Sequence, residues 1–299
     1  MIKEALQLLA KKWNSYKYRF VPWVALNLRK NERTLRQVEE HSWDKLISDK
    51  DVSVHLLKLF QVLFQNSLTT QVEAFNLLPP HVQSAYQKKS VSLGTSKRTD
   101  CYRSQTSISS REVMLNTLGF CIDRAPSSLP TAGTGVFLTK GSVPKGAVVS
   151  MYPGTVYQPY EPVFFQSLYN PFIFRCIDGI LIDGNDKGIS KTIFRSCLRR
   201  DRLGPFLFGD ETWLTEHLEN PLAVGQYVNN CTNEKAANVC YQEFDVPADF
   251  PVELRQYLPN VNFSVDSLRT LRCVVLVALR DITQGEELFS NYYTVVHSK

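Results

Sequence analysis

From Leu118 onward the chain changes texture, and that change narrows the folds open to it more than any other feature. Six of the 14 glycines fall between Gly119 and Gly154. Short β-branched and aromatic runs lie between turn signals: Gly135–Thr139, Ala147–Tyr152, Phe172–Ile177, Cys240–Phe244 and Cys273–Leu279. Such runs suit a pleated, half-buried surface. Their spacing is irregular, and no helices of regular length alternate with them, which argues against a doubly wound βαβ sheet. The expected class is α+β: a β-rich domain of several small sheets, preceded by a small helical region.

Residues 1–88 supply that helical region. Ile2, Leu6, Leu9 and Trp13 recur at helical spacing, and Leu56, Phe60 and Leu63 repeat the pattern inside an apolar-rich stretch from Val52 to Phe64. Pro79-Pro80 should end one helix, with residues 81–88 starting a short next one. Residues 89–110 contain ten Ser/Thr in 22 positions and few large apolar side chains. Such a segment buries too little to offset its ordering entropy. The expected division is a helical region over 1–88, a Ser/Thr-rich linker over 89–117, a second domain over 118–293 and a tail over 294–299.

Charge is placed unevenly. Residues 1–50 carry 11 Lys/Arg and 6 Asp/Glu, and the other 249 carry 23 of each, so the whole net charge of +5 sits at the N-terminus. A basic amphipathic first helix reads as a solvated face, as a mitochondrial presequence (against which stand Glu4 and the use of Lys over Arg), or as an electrostatic patch. No RNA- or DNA-binding motif accompanies it, so direct nucleic-acid binding is not expected. The longest apolar run, Cys273 to Leu279, has seven residues, against about 20 for a membrane helix. No secretory signal opens the sequence. The expected setting is intracellular and without membrane contact, in nucleus or cytoplasm, with the mitochondrion as the alternative.

Several familiar sites are excluded by spacing. The seven cysteines lie 9 to 55 residues apart with no CxxC pair, so buried reduced thiols are expected rather than a disulfide scaffold or a metal. Gly133-Thr134-Gly135 lacks the third glycine of a dinucleotide fingerprint, because Leu138 stands there, and a strand rather than a helix follows. Asp183 to Gly188 starts like a calcium loop but has Lys187 at position 5 and Phe194 at position 12, so a glycine-rich turn between two strands is expected. No GxSxG elbow occurs, and the five histidines fall in unrelated contexts.

Three segments remain. The first is Gly133-Thr-Gly135-Val-Phe-Leu-Thr-Lys140-Gly141, continuing to Met151-Tyr152-Pro-Gly154, and reads as a turn of close backbone approach followed by a hairpin. The second is Gly225-Gln-Tyr227-Val-Asn229-Asn230-Cys231 with Asn238-Val239, a rare juxtaposition of amide side chains. The third is Asp281 to Tyr293, containing Gly285-Glu286-Glu287-Leu288 and the adjacent Tyr292 and Tyr293. Singly, each has an ordinary explanation: paired Asn caps a helix or turns the chain, and tyrosines pack. In this order and spacing they resemble the three blocks of the SET-domain lysine methyltransferases, G-x-G-V/I…K-G…Y-x-G, R-F-I-N-H-S/C…P-N and G-E-E-L-x-x-D-Y. The resemblance covers about residues 119–293.

The resemblance implies a β-rich SET domain whose C-terminal segment forms a pseudoknot. It implies S-adenosyl-L-methionine as cofactor, beside Gly133 and Gly135, with Asn229 on its amino group and the backbone at Asn230 meeting the adenine. Tyr292 matches the catalytic tyrosine and would also border the cofactor. Tyr152, Ser290 and Tyr293 would line a channel for the lysine of a protein or peptide substrate. The implied activity is protein-lysine N-methylation; the other reading is a catalytically inactive SET-like interaction scaffold. The chain departs from the pattern at Asn230 (usually His), at Asn291 (usually Asp), at Ala237 (usually Pro), at Ser290 (commonly aromatic), and in five to six extra residues between Cys231 and Asn238. It also lacks a cysteine-rich zinc cluster after Tyr292, so the stretch between Tyr157 and Pro221 or the N-terminal helices would have to wall the channel.

Overall fold

A computed structural model describes residues 35–38, 45–68, 70–92, 108–130, 132–232, 234–265, 270–291 and 294–297. The helix expected from Ile2 to Trp13 lies outside them, as do residues 93–107.

Strand β1 (Leu35–Val38) is followed by helices α1 (Asp49–Asn66), α2 (Val72–Asn76) and α3 (Pro80–Ser92). Helix α1 starts where Ser48 Oγ accepts from the Asp51 amide, and Asp49 and Asp51 complement the positive end of its dipole. Val52, Leu56, Leu59, Phe60, Leu63 and Phe64 form its buried stripe. Proline at the first position of α3 loses no hydrogen bond. Residues 110–117, read as linker from composition, are instead part of helix α4 (Ser110–Leu118). Ser109 caps it through the Glu112 amide, and Val113 and Met114 bury against the core. The many serines around it hid one that is a cap.

Among the described residues fourteen further strands follow. They are β2 (Phe120–Pro126), β3 (Thr134–Gly141), β4 (Val148–Tyr152), β5 (Gly154–Tyr157), β6 (Ile173–Arg175), β7 (Leu181–Asp183), β8 (Arg202–Leu203) and β9 (Phe206–Leu207). Then come β10 (Asn229–Asn230), β11 (Val239–Asp245), β12 (Asn260–Asn262), β13 (Arg272–Ala278), β14 (Phe289–Ser290) and β15 (Thr294–His297). Helix α5 (Phe164–Ser167) lies between β5 and β6, and α6 (Gly188–Arg200) follows β7. The five expected runs all contain strands, arranged in small sheets: β2-β3, β11-β13-β4, β12-β5-β7-β6 and the pairs β10-β14, β8-β9 and β1-β15.

Three expectations need correction. Strand β4 pairs with β13, not with β3, so the hairpin is β2-β3 and the Gly133 turn closes it rather than preceding it. The turn at 183–188 joins a strand to helix α6, not to a second strand, because Phe194, Cys197 and Leu198 supply a buried helical stripe. Residues 35–38, read as helical, and 294–297, read as tail, pair in parallel, Leu35 with Thr294 through Val38 with His297. That pairing joins opposite ends of the chain, beyond the reach of local periodicity.

Strand β13 is flanked on both sides, and Cys273 to Ala278 are fully buried, which explains an apolar run without alternation. Cys273 and Val275 to Ala278 share one core with the stripe of α1, with Val113 and Met114 of α4, and with Ile122, Val136, Leu138 and Met151. Each fully buried Leu or Phe there contributes about 1.5–3 kcal/mol. Gln242 of β11 binds the approach to α1: its Oε1 accepts from the Leu46 amide at 2.9 Å, and its Nε2 donates to Ile47 O at 2.8 Å. All six described cysteines are free thiols, four of them buried; Cys101 lies outside the described residues. Among the described residues no helix is long and apolar enough to cross a membrane.

Candidate active site

The three sequence blocks meet around residues 282–290. The β2-β3 hairpin closes where the Ser127 amide donates to Gly133 O at 2.8 Å, after which the chain enters β3. The free edge of β3 is covered by the third block: the Leu138 amide donates to Glu286 O at 2.9 Å, Gly285 to Leu138 O at 2.7 Å, and Leu288 to Val136 O at 2.8 Å. The turn between them is pinned by Glu286, which accepts from the Thr283 amide at 2.7 Å and pairs with Arg280. The Arg280 pair leads the causes that hold the Glu286 carboxyl at about 2. The segment then becomes β14, which pairs in parallel with β10, Asn229 beside Phe289 and Asn230 beside Ser290. Residues 282–290 are thus bonded on one edge to the first block and on the other to the second, as the expected pseudoknot requires.

At the crossing lies a side chain that the sequence reading quoted without assigning it a role. Glu287 is 6% exposed. Its Oε1 accepts from Ser127 Oγ at 2.6 Å and from Asn229 Nδ2 at 3.3 Å. Its Oε2 accepts from the Ser128 amide at 2.8 Å and from Ser128 Oγ at 2.6 Å. Burial pushes the carboxyl up, but the bonds from Ser127, Ser128 and Asn229 outweigh it and hold the group below the ordinary glutamate range. The site therefore contains a carboxylate anion.

Gly133 and Gly135 differ in what they are for. Gly133 has φ +76°, which favours glycine, and a methyl group there would meet nothing within 4 Å. At Gly135 a Cβ would overlap Glu287 Oε1 and lie 3.3 Å from Ser127 Cα. The close approach expected there for a ligand is made by the protein's own carboxylate.

Asn229 spans the blocks, donating from Nδ2 to Thr134 O at 3.0 Å as well as to Glu287. Asn230 is exposed, and its backbone runs beside Ser290 in the β10-β14 pair. Ser290 is fully buried with no hydrogen-bond partner for its hydroxyl among the described residues. Asn291 Oδ1 accepts from the Cys231 thiol. Tyr292 and Tyr293 lie outside the described residues.

Tyr152 is buried, donates to Phe172 O at 2.8 Å, and packs with Phe174 and Tyr241 at centroid distances of 5.4 Å and 6.1 Å. Tyr241 Oη in turn lies 3.4 Å from Val228 O, one residue before Asn229. Phe172 packs edge-on against Tyr227, whose hydroxyl donates to Asp186 at 2.7 Å. Tyr152 thus belongs to an aromatic cluster whose other members are Phe174 and Tyr241. The signal for Tyr241 was there: period-2 alternation in β11 sets it on the face opposite Gln242 and Phe244.

Cys176, Asp178 and Glu243 come close enough together to resemble a cation site. Arg272 fills it, with Nη2 2.9 Å from Asp178, Nε 2.7 Å from Asp245 and Nη1 hydrogen-bonded to Glu243. Burial, with Glu243 beside it, pushes the Cys176 thiol well up, so the set is an arginine–carboxylate hub.

No family model matches the chain. It is 62% identical to human SET domain-containing protein 9 over 293 residues, 97% of this chain and 98% of the relative. The chain belongs to the SET domain-containing protein 9 family. The orangutan protein of the same name is 62% identical over 265 residues, 88% of this chain and 97% of the relative. Among solved structures, ctPRC2 in an autoinhibited conformation bound to S-adenosylmethionine matches 57% of this chain and 15% of its own, at 16% identity and a TM-score of 0.33. A humanized mutant of the Chaetomium thermophilum Polycomb Repressive Complex 2 bound to an inhibitor matches the same shares at 17% identity and a TM-score of 0.31. In this member of the SET domain-containing protein 9 family, the candidate site is the junction of 133–135, 229–230 and 286–290.

Proposed function

We propose that the chain is an S-adenosylmethionine-dependent methyltransferase whose acceptor is a lysine of a protein or peptide. The observation that carries this reading is the convergence at Asn229. One amide group touches the Gly133–Gly135 turn and the third block, and its own strand pairs with the residues leading to Tyr292. Membership of a SET-domain family supports it.

The residues fit such a cofactor. Both N–H groups of Asn229 are committed, which leaves Oδ1 as an acceptor suited to an ammonium. Glu287 adds a negative charge suited to a cationic ligand, and the Gly133 turn has open space beside it. When bound, S-adenosylmethionine supplies a methyl group on a positively charged sulfur.

The chain's own task is to present a neutral amine in line with that methyl. A lysine of ordinary pKa, ~10.4, is neutral about once in a thousand molecules at about pH 7.4, a deficit of roughly 4 kcal/mol. The Tyr152, Phe174 and Tyr241 cluster offers an apolar wall that disfavours the ammonium and lowers that deficit. Alignment of the amine supplies several kcal/mol more. Tyr292, two residues after β14, is assigned the orienting hydroxyl.

Titration calorimetry of S-adenosylmethionine and S-adenosylhomocysteine into the full-length protein tests the reading, with Asn229→Ala alongside. Micromolar binding, markedly weakened but still measurable in the variant, is expected. Labelled methyl transfer to lysine peptides should then fall sharply in a folded Tyr292→Phe variant. A folded wild-type protein that binds neither ligand overturns the reading in favour of an interaction scaffold.

A further inference from the structure

We propose that Glu287 is a positioning residue. It locks the Asn229 amide in the one orientation that turns a carbonyl oxygen to the ligand, and so sets affinity for ligands that carry an α-amino group. This rests on the cofactor reading above.

The argument starts from the amide's two faces. Asn229 Nδ2 has two acceptors, Thr134 O at 3.0 Å and Glu287 Oε1 at 3.3 Å, which use both of its N–H bonds. Turning the amide over would set Oδ1 against a carbonyl and a carboxylate, two oxygens with nothing to donate. The contact with Thr134 alone is a weaker constraint, because a neutral carbonyl repels a second oxygen less than an anion does. Glu287 in turn cannot move aside. Ser127 and Ser128 give it three hydrogen bonds of 2.6 Å to 2.8 Å, and Gly135, having no Cβ, gives it room. Oδ1 of Asn229, with no partner among the described residues, is the acceptor so presented.

The prediction is selective. S-adenosylhomocysteine carries the amino-acid group that this acceptor would hold; 5′-methylthioadenosine shares the nucleoside and thioether but lacks it. Calorimetry on the full chain should show Glu287→Gln weakening S-adenosylhomocysteine about tenfold or more, with 5′-methylthioadenosine changed less than twofold. In an Asn229→Ala background the same substitution should add nothing, since its effect passes through Asn229. If Glu287→Gln does not fold, the Ser127→Ala/Ser128→Ala double variant keeps the carboxylate but removes two of its three anchoring bonds, and the same selective loss is expected. Equal weakening of both ligands, unchanged affinity, or effects that multiply with Asn229→Ala would overturn the proposal and leave the cofactor reading standing. Absence of S-adenosylhomocysteine binding by the folded wild-type protein would overturn both.

Discussion

Asn238 and Phe289 hold each other by the two bonds of a strand pair, with a side chain standing in for one backbone. The Asn238 amide donates to Phe289 O at 3.0 Å, and the Phe289 amide donates to Asn238 Oδ1 at 2.8 Å. Asn238 Nδ2 also donates to Glu287 O at 2.8 Å. Asn238→Ala would leave a buried N–H and a buried C=O unpaired, so a loss of about 2–4 kcal/mol is expected in denaturant unfolding. Stability equal to wild type would show that the second block does not anchor the third.

Gly135→Ala and Gly133→Ala should separate sharply. The first puts a methyl group into a carboxylate that is hydrogen-bonded in place, with an expected loss of about 2–4 kcal/mol as Glu287 is displaced. The second enters open space and bears chiefly the left-handed backbone penalty, about 1–2 kcal/mol. Thermal melting of the two variants side by side checks the order; a reversal would mean that Glu287 yields easily.

Asp210 gives the fold a pH dependence. It is buried and accepts from the Thr212 amide at 2.6 Å and the Asn220 amide at 3.3 Å. Burial dominates these bonds and pushes its carboxyl up to about 7. A raised folded-state value means stability that is complete below the unfolded value near 3.8 and is lost as pH rises through about 7. Melting temperature should therefore decline between pH 5 and 7.5, with a slope of at most about 1.4 kcal/mol per pH unit from this group. Asp210→Asn should flatten that decline, and an unchanged slope would assign it elsewhere.

Arg272→Met removes the cation from the Asp178, Glu243 and Asp245 hub. Its side chain is 12% exposed and Glu243 is 20% exposed, whereas the two aspartates are near half exposed and well screened. The expected loss is about 1–3 kcal/mol at neutral pH. It should shrink toward pH 4 as the unpaired carboxylates take up protons. A pH-independent loss would indicate packing of the side-chain stem instead.

The strands were legible because β-branched runs between turn residues have few other uses, and β13 announced itself by seven apolar residues in a row. The site was legible only as an order of blocks. Glu287 could not be read, because its meaning depends on Ser127 and Ser128, some 160 positions away, and on the missing Cβ of Gly135. Helix α4 was lost in serine-rich composition, although Ser109 and Glu112 were spaced as a cap requires. The β1-β15 pair leaves no local trace at either end.

The bonds between 134–138 and 285–288, and between 229–230 and 289–290, impose an order on synthesis. A nascent chain that has left the ribosome as far as residue 280 already contains Gly133, Gly135 and Asn229. It has no Glu287 to fix the amide and no β14 to cover β10. Contacts of such separation form late, after the local hairpin and helices. The junction is therefore complete only when the chain is: a stalled or prematurely terminated product can carry a folded β2-β3 hairpin and still lack the bonds that join the three blocks.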